Sequence, residues 1–586
     1  MSPADALAAV VAAVEAEGEC LRAEFHAAHG PRGSRGSCPI DREIEERLQK
    51  ALQALIPAQF CGEECAVTPG TLAGWVWLVD PHDGTFEYTA GRRGSAISVA
   101  LLRDGSPVMG VVHAPDSPDR GPDTIAWAEG AGPIRRNGVA LSTDLSREEL
   151  RAGSLVWATA SSALRPETWA SAVAPARYVA MPSIAYRLAR IAAGDGIATA
   201  STHGVKEYDI AAGMALVRAA RGIVLDAQGK EVVLEGNSER RVSGCFAGAP
   251  QAAMQLARFD WARLEAEPRR EPRVPHAFPK PREPQRLSRA QAVLLGQVIG
   301  DSLGALVESK PASEISQLHP MGLRELADGG PHRTIAGQPT DDSEMALVLA
   351  RTLVREKKYG GEKVLDAYRA WLTSRPVDVS MSTERGLLGL ATTESESNGS
   401  LMRCSPIGIW AAGDPALAAR TARDDSALTH TNPVCLEACA AYCAAIAAGV
   451  GGASRDEMFE AAAAHAKGPA HEAVKRAAKG IAPADYFTHP GWALVALQNA
   501  FCCLHSLDFE EAIVQTIARG GDTDTNAAIA GALVGAHCGR EKIPARWILP
   551  VLACRPLAQG GALRPRPMEY WPDDVLDLAE ALLLAR

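Results

Sequence analysis

Two periods of apolar residues divide the chain. In the first 260 or so residues both periods occur. Asp5–Ala28 and Asp41–Ile56 repeat apolar positions at helical spacing, while Trp75–Val79, Ala96–Leu102 and Val108–His113 read as strands, with Asp104-Gly105 as the hairpin turn between the last two. Such a mixture predicts a layered α/β domain. Beyond residue 286 the pattern changes. Arg289–Val298, Asp342–Val354, Cys435–Ala448, Asp508–Ala518 and Asn526–Ala536 are Ala/Leu-rich and helical in spacing, and strand-like runs are scarce, so this part is expected to be all-α. Between them, residues 265–286 are rich in Pro, Arg and Glu, which blocks regular structure and resists burial; the segment reads as a semi-stiff linker. The expected organisation is domain 1–264, linker 265–286, domain 287–586. No internal repeat relates the halves.

Composition agrees with two cores. A chain of 586 residues is too long for one. With 47% hydrophobic and 22% charged residues it is an ordinary globular sequence, and a formal net charge of −10 argues against a nucleic-acid-binding role. The 13 cysteines show no disulfide or zinc spacing. Cys435, Cys439 and Cys443 share one helix face and are expected to be small buried hydrophobes in a reducing, cytoplasmic setting. Asp5, Glu15 and Glu17 are incompatible with the basic start of a signal peptide. The apolar stretch Ala438–Val450 is short for a membrane span, and a buried helix is expected instead.

The candidate chemistry lies in two groups of acids. In the first, an apolar strand delivers Asp80 at its end, and Pro81 is expected to stop further ladder pairing. Asp83 stands close enough for both carboxylates to share a hard cation. Gly84 allows close backbone approach to a ligand, and Thr85 can open a helix. All-oxygen donors favour Mg²⁺. A lone Asp-x-x-Asp-Gly is usually only a turn. Here Asp41, Gly62-Glu63-Glu64, Asp80-Pro81-His82-Asp83-Gly84-Thr85 and Tyr208-Asp209-Ile210-Ala211-Ala212-Gly213 occur together and in order. Together they resemble the inositol monophosphatase family of Mg²⁺-dependent phosphatases over about Asp5–Gly248. That resemblance implies an αβαβα sandwich. It makes Glu63, Asp80, Asp83, Asp209 and the backbone carbonyl of His82 metal ligands, and it makes Asp41 and Thr85 the residues that orient the attacking water. Three positions depart from the family pattern. Tyr208 replaces Trp, Arg218-Ala219-Ala220-Arg221-Gly222 replaces Glu-Ala-Gly-Gly, and Thr202 stands where inositol-specific members carry an acid. A phosphate monoester is therefore the expected substrate class, with inositol phosphate less supported. Glu207 beside Tyr208 resembles the branch that acts on nucleotide phosphates.

In the second group, Thr340-Asp341-Asp342 precedes an amphipathic helix, and Gly520-Gly521-Asp522-Thr523-Asp524-Thr525 precedes another. Two helix starts with paired acids can converge on one binuclear Mg²⁺ or Mn²⁺ centre. Gly300-Asp301-Ser302-Leu303-Gly304, Glu308, Asn398-Gly399-Ser400-Leu401-Met402-Arg403 and Thr429-His430 accompany them. This set resembles the ADP-ribosylglycohydrolase family over about Leu287–Trp547. The resemblance implies Thr340, Asp341, Asp342, Asp522, Asp524 and Thr525 as metal ligands and Gly300, Asn398, Ser400 and Met402 along the ADP-ribose pocket. His430 is placed against the diphosphate or adenine, although a lone His is more often structural. Glu308 or Asp378 would supply the general acid or base.

The combined expectation is a bifunctional metal-dependent hydrolase. One half would cleave an ADP-ribosyl glycosidic bond on a modified protein or small conjugate, and the other a small-molecule phosphate ester. The alternative is an ADP-ribose- or nucleotide-binding protein in which one domain is inactive.

Overall fold

Strand Trp75–Asp83 is the axis of the amino-terminal unit in the computed structural model, which describes residues 1–586 except 35, 277, 281, 282 and 507. It pairs in parallel with Gln59–Gly62 and antiparallel with Ala96–Arg103. The meander then runs through Ser106–Ala114 and Asp123–Ala128 to two short strands, completing a seven-stranded sheet. Alternation along these strands decides the layers. Trp77, Val79, Val99, Leu101, Met109 and Val111 pack on Val10, Val14 and Leu21 of helix Pro3–Phe25 and on Ile44, Leu48 and Leu52 of helix Pro39–Leu55. Against the opposite face lies helix Glu207–Ala219; a Cβ on Gly110 would sit 2.3 Å from the Ala212 carbonyl oxygen. That helix and its neighbour Ile184–Ala192 also contact a second sheet, ordered Ile223–Leu225, Cys245–Gly248, Ala198–Ser201, Leu155–Thr159, Arg177–Met181. Helices Pro166–Val173 and Pro250–Ala257 complete an αβαβα stack.

The central strand departs from expectation at Pro81. Pairing does not stop there. Asp80 pairs with Ser98 and Asp83 with Ala96, so one extra residue is accommodated as a bulge. Proline has no N–H to give, and the next free amide, that of His82, donates to Asp80 Oδ1 at 2.8 Å. The bulge re-aims consecutive acids without ending the strand.

The second unit is built around helix Pro284–Gly304, which is buried almost all round from Ala290 onward. It crosses helix Thr523–Cys538 at backbone contact. A Cβ on Gly296 would lie 2.2 Å from the Gly531 carbonyl oxygen, one on Gly300 2.1 Å from that of Ala527, and one on Gly304 2.4 Å from that of Thr523. Glycine every fourth residue is what permits this approach. Helices Asp341–Glu356, Ser405–Trp410, Pro433–Val450, Ala545–Ala553 and Val575–Leu584 surround the pair. Among the described residues this unit has isolated β-bridges but no strand. Helix Pro433–Val450 is long and apolar enough to cross a membrane, yet 78% of it is buried inside the protein. Cys435, Cys439 and Cys443 lie within it as buried free thiols; burial pushes Cys435 up to about 12.

The chain divides into Met1–Pro272 with His276–Lys280, and Arg273–Pro275 with Pro281–Arg586. Described residues of the proline-rich segment are held by side-chain contacts. Glu267 accepts the Glu167 and Thr168 amides at 3.0 and 2.8 Å at the start of helix Pro166–Val173. Arg273 is paired with Asp573 and Asp574. Pro284, a residue suited to a first helical turn, already belongs to the long helix.

Candidate active sites

The bulge at the end of strand Trp75–Asp83 sets the first site. Asp80 is 2% exposed. Asp83 accepts Ser183 Oγ at 2.6 Å and the Ala185 amide at 2.7 Å. Asp209, at the first turn of helix Glu207–Ala219, accepts the Lys206 amide at 2.7 Å. Glu63 follows strand Gln59–Gly62, and Tyr208 Oη donates to it at 3.4 Å. Burial raises all four carboxyls, Glu63 to about 7 and Asp80 and Asp209 well above the ordinary range. Repulsion within the group adds to this, from Glu63 on Asp80 and from Asp83 on Asp209. None of the four makes an ion pair among the described residues. A cation would reverse the sign of that environment, and the all-oxygen donor set fits a hard divalent ion.

Around these acids two supports are buried. Thr85 Oγ1 donates to the His82 carbonyl at 2.7 Å, and His82 Nδ1 lies 2.7 Å from Asp41 Oδ1. Asp41, expected to face the attacking water, is thus engaged by the His82 ring through one oxygen. The other support is Glu45, four residues further along the same helix face and fully buried. Its carboxylate accepts the amides of Glu63, Glu64 and Cys65 at 2.9, 3.0 and 2.7 Å. Sequence reading missed Glu45, although its i+4 relation to Asp41 was visible. Glu207, beside Tyr208, is fully buried; it accepts the amides of Glu235, Gly236 and Asn237 and pairs with Arg240. It thereby holds the 235–237 turn. Gly84 takes φ +98°, the left-handed turn that lets helix Thr85–Thr89 begin immediately after Asp83.

In the second unit, two helix starts line one cavity of about 450 Å³. Asp341 and Asp342 open helix Asp341–Glu356, with Thr340 as N-cap. Asp522 is the N-cap of helix Thr523–Cys538, which carries Asp524 and Thr525 in its first turn. Gly520 and Gly521 precede it with φ +78° and +77°, and a Cβ on Gly521 would fall 2.1 Å from the Tyr486 carbonyl oxygen. Carboxylates from Glu308, Asp341, Asp342, Asp378, Asp522 and Asp524 share the wall with Thr525, Asn398, Met402 and Phe487. Burial raises Asp341, Asp342 and Asp524 well above the ordinary carboxyl range. Asp378 raises Asp341 further, Asp301 raises Asp342, and Asp342 raises Asp524. Asp342 Oδ1 is buried with no hydrogen-bond donor. A buried carboxylate oxygen without a donor, set among other acids, fits a divalent cation.

Donors fix several of the other oxygens. Asn398 Nδ2 donates to Asp522 Oδ2 at 2.7 Å, and the Ser380 amide to Asp341 Oδ2 at 3.2 Å. Thr340 Oγ1 lies 2.9 Å from Asp301 Oδ1 and 3.0 Å from Asp342 Oδ2. Asp301 also accepts the Thr340 and Ser343 amides. It is fully buried and raised to about 6 by burial. Its sequence segment was noticed, but its part in pinning the helix start was not legible.

Three expected pocket residues do not line this cavity. Gly300 is at the helix crossing against Ala527, where the glycine serves packing. Ser400 is buried against Ser426 Oγ at 2.8 Å and Cys439. His430 lines a neighbouring cavity of about 260 Å³ with Ser382 and Arg385. It lies between Thr429 Oγ1 at 2.8 Å and Ser397 Oγ at 2.9 Å, and burial with Arg403 nearby lowers it to about 3, so the ring is neutral. His332, absent from the sequence reading, has Nε2 2.5 Å from Glu308 Oε2. Its donor atom, with those of Glu308 and Asp378, falls within a 4.8 Å cluster.

An αβαβα unit and an all-helical unit, each with its own set of buried carboxylates, define a two-domain hydrolase. The chain belongs to the ADP-ribosylglycohydrolase family, whose family model matches residues 282–585, and its amino-terminal unit belongs to the inositol monophosphatase family, matched over residues 6–257. Among curated proteins it is 31% identical to the ADP-ribosyl-[dinitrogen reductase] glycohydrolase of Rhodospirillum rubrum, over 44% of this chain and 89% of that protein. It is 27% identical to the ADP-ribosylarginine hydrolase Tri1 of Pseudomonas putida, over 51% of this chain and 85% of that protein. The amino-terminal unit is 31% identical to the fructose-1,6-bisphosphatase/inositol-1-monophosphatase of Thermotoga maritima, over 33% of this chain and 72% of that protein.

Proposed function

We propose that the second unit hydrolyses the N-glycosidic bond of an ADP-ribosyl conjugate, with ADP-ribosyl-arginine on a protein or small molecule as substrate, and that the first unit hydrolyses a phosphate monoester of a sugar or nucleotide. The observation that carries this reading is the orphaned, buried Asp342 Oδ1 in a cavity walled by six carboxylates. The names of the Rhodospirillum and Pseudomonas relatives supply the bond and the arginine.

In the second unit Thr340, Asp341, Asp342, Asp522, Asp524 and Thr525 are the candidate ligands for two Mg²⁺ or Mn²⁺ ions. Such ions supply Lewis-acid polarisation and water of lowered pKa. Asn398 and Ser380 hold Asp522 and Asp341 in fixed rotamers, and Asp301 holds the Thr340 turn. Glu308 and Asp378 reach the same cavity from other segments, and one of them takes the proton of the attacking water. Met402, Phe487 and Pro490 give the wall its apolar part, suited to a ribose face.

In the first unit Glu63, Asp80, Asp83, Asp209 and the His82 carbonyl are the candidate Mg²⁺ ligands. Asp41, through the oxygen His82 leaves free, and Thr85 are the candidates for orienting the attacking water.

Full-length protein supplemented with Mg²⁺ or Mn²⁺ tests both halves. It should release ADP-ribose from ADP-ribosyl-arginine and inorganic phosphate from at least one sugar or nucleotide monophosphate. Asp342→Ala should abolish only the first release and Asp83→Ala only the second. Turnover that survives both substitutions would refute the assignment.

A further inference from the structure

We infer that His332 is a positioning residue of the second site, holding the Glu308 carboxylate at the wall of the acid-lined cavity across from Asp378. This rests on the glycohydrolase reading of that cavity.

The main chain beside Glu308 is already fixed. The Ser309 amide donates to the Gly521 carbonyl at 2.9 Å and the Gly521 amide to the Lys310 carbonyl at 3.0 Å, which ties the segment to the turn bearing Asp522. The Glu308 side chain is another matter. Three rotatable bonds separate its carboxylate from that anchored backbone, and the nearby charges of Asp522 and Asp524 repel it. Without a donor it would swing toward solvent.

His332 is that donor, and the chain is shaped to present it. Gly329 and Thr334 exchange backbone hydrogen bonds of 2.9 and 3.1 Å, closing a tight loop with His332 inside it. Gly330 (φ +69°) seats the loop on the end of the central helix, where a Cβ would meet the Ala305 carbonyl oxygen at 2.7 Å. Arg333 takes φ +56°, a strained value for a side chain of its size. From this loop the imidazole Nε2 reaches Glu308 Oε2 at 2.5 Å, with both side chains largely covered. The same segment continues through Ile335 and Gln338, which hydrogen-bond to each other, into Thr340-Asp341-Asp342. Bonding to one carboxylate oxygen leaves the other to face the cavity that Glu308 and Asp378 both line. The imidazole also places positive character among carboxylates that otherwise repel.

The test is a double-mutant cycle in the full-length, metal-supplemented protein, using His332→Ala, His332→Gln, Glu308→Gln and the His332→Ala/Glu308→Gln pair. On ADP-ribosyl-arginine, His332→Ala should lower kcat by about 10- to 100-fold, the range typical of residues that orient a site group, with KM little changed. His332→Gln, which keeps a donor, should recover much of the loss, and the double variant should be no slower than Glu308→Gln alone. A His332→Ala enzyme with unaltered kcat, or losses that simply multiply in the double variant, would overturn the inference. Wild-type protein that releases no ADP-ribose would instead sink the glycohydrolase reading. The same four variants are then compared for binding of free ADP-ribose by calorimetry. There His332→Ala should bind ADP-ribose about as tightly as wild type, in line with the unchanged KM, and a large loss of affinity rejects a role confined to positioning Glu308. Melting temperatures of the variants separate a local effect from misfolding: a His332→Ala loss that tracks a large fall in melting temperature, unrelieved by His332→Gln, also counts against it.

Discussion

His82 Nδ1 and Asp41 Oδ1 meet at 2.7 Å in the interior of the amino-terminal unit, and both residues are at most 2% exposed. Asp41 comes from the second helix and His82 from the bulge in the central strand, so this one contact ties the helix layer to the residue whose carbonyl accepts from Thr85. Replacing Asp41 with Ala leaves a buried imidazole nitrogen without its partner, which costs about 1–3 kcal/mol. The first unfolding transition should therefore move to lower temperature, and phosphate release should fall with it. An Asp41→Ala protein with unchanged melting would show that the pair adds nothing to stability.

The metal-free protein should be more stable in mild acid than in mild base. Glu63 is raised to about 7 and Asp301 to about 6, chiefly by burial, above an unfolded value of about 4. A raised folded pKa contributes stability that is fully present below the unfolded value and is lost as pH climbs through the folded one. In chelator, melting temperature should fall between about pH 5 and pH 8. Added Mg²⁺ or Mn²⁺, which binds the deprotonated acids, should flatten or invert that slope. Identical slopes with and without the ion would argue that these acids do not bind it. At the acid extreme the opposite group takes over: Asp116, held down to about 2 chiefly by Arg93 and His26 against its burial, loses its contribution as pH falls toward that value.

At the helix crossing, Gly300→Ala should cost about 1–3 kcal/mol, because the added methyl would overlap the Ala527 backbone rather than a movable side chain. Differential scanning calorimetry should show the second unit melting earlier while the first is unmoved. Since Ala527 lies one turn beyond Asp524, ADP-ribose release should also decline. A neutral Gly300→Ala change would mean that the two helices can part without harm.

Asp524→Ala should remove the stabilisation of the second unit by Mg²⁺ or Mn²⁺ and reduce ADP-ribose release by at least about 100-fold. Thermal shift titrated against each ion, on wild type and variant in parallel, reads the first effect directly. Retention of the full ion-dependent shift would place the ions elsewhere.

Local pattern carried the two fold classes. The short apolar run in Ala96–Leu102 and the helical spacing in Asp342–Val354 each match an element of the same type. It also brought out those acids that sit beside glycine and threonine in short motifs. What it could not carry was support from a distance. Glu45 reaches the amides of Glu63–Cys65 across a helix-to-strand gap, and His332 reaches Glu308 from a separate loop. Neither pairing leaves a periodic trace, because the distance that matters exists only after folding. Gly300 and Ser400 show the reverse. Both stand in motif-like surroundings, yet close packing accounts for them. Pro81 misled for a related reason: it was expected to end the ladder, but a bulge is another way for a strand to lose one hydrogen bond.

The crossing of helices Pro284–Gly304 and Thr523–Cys538 has a temporal consequence. All acids of the first site lie before residue 210, so during synthesis that site can assemble while most of the second unit is still to be made. The second site needs Glu308 and Asp342 to wait for Asp522 and Asp524, some two hundred residues later, before the cavity has its full set of acids. Until then the glycine stripe of the central helix has nothing to pack against. The two sites of one polypeptide are thereby separated in time of birth, and the later one is the more exposed to interruption of the chain.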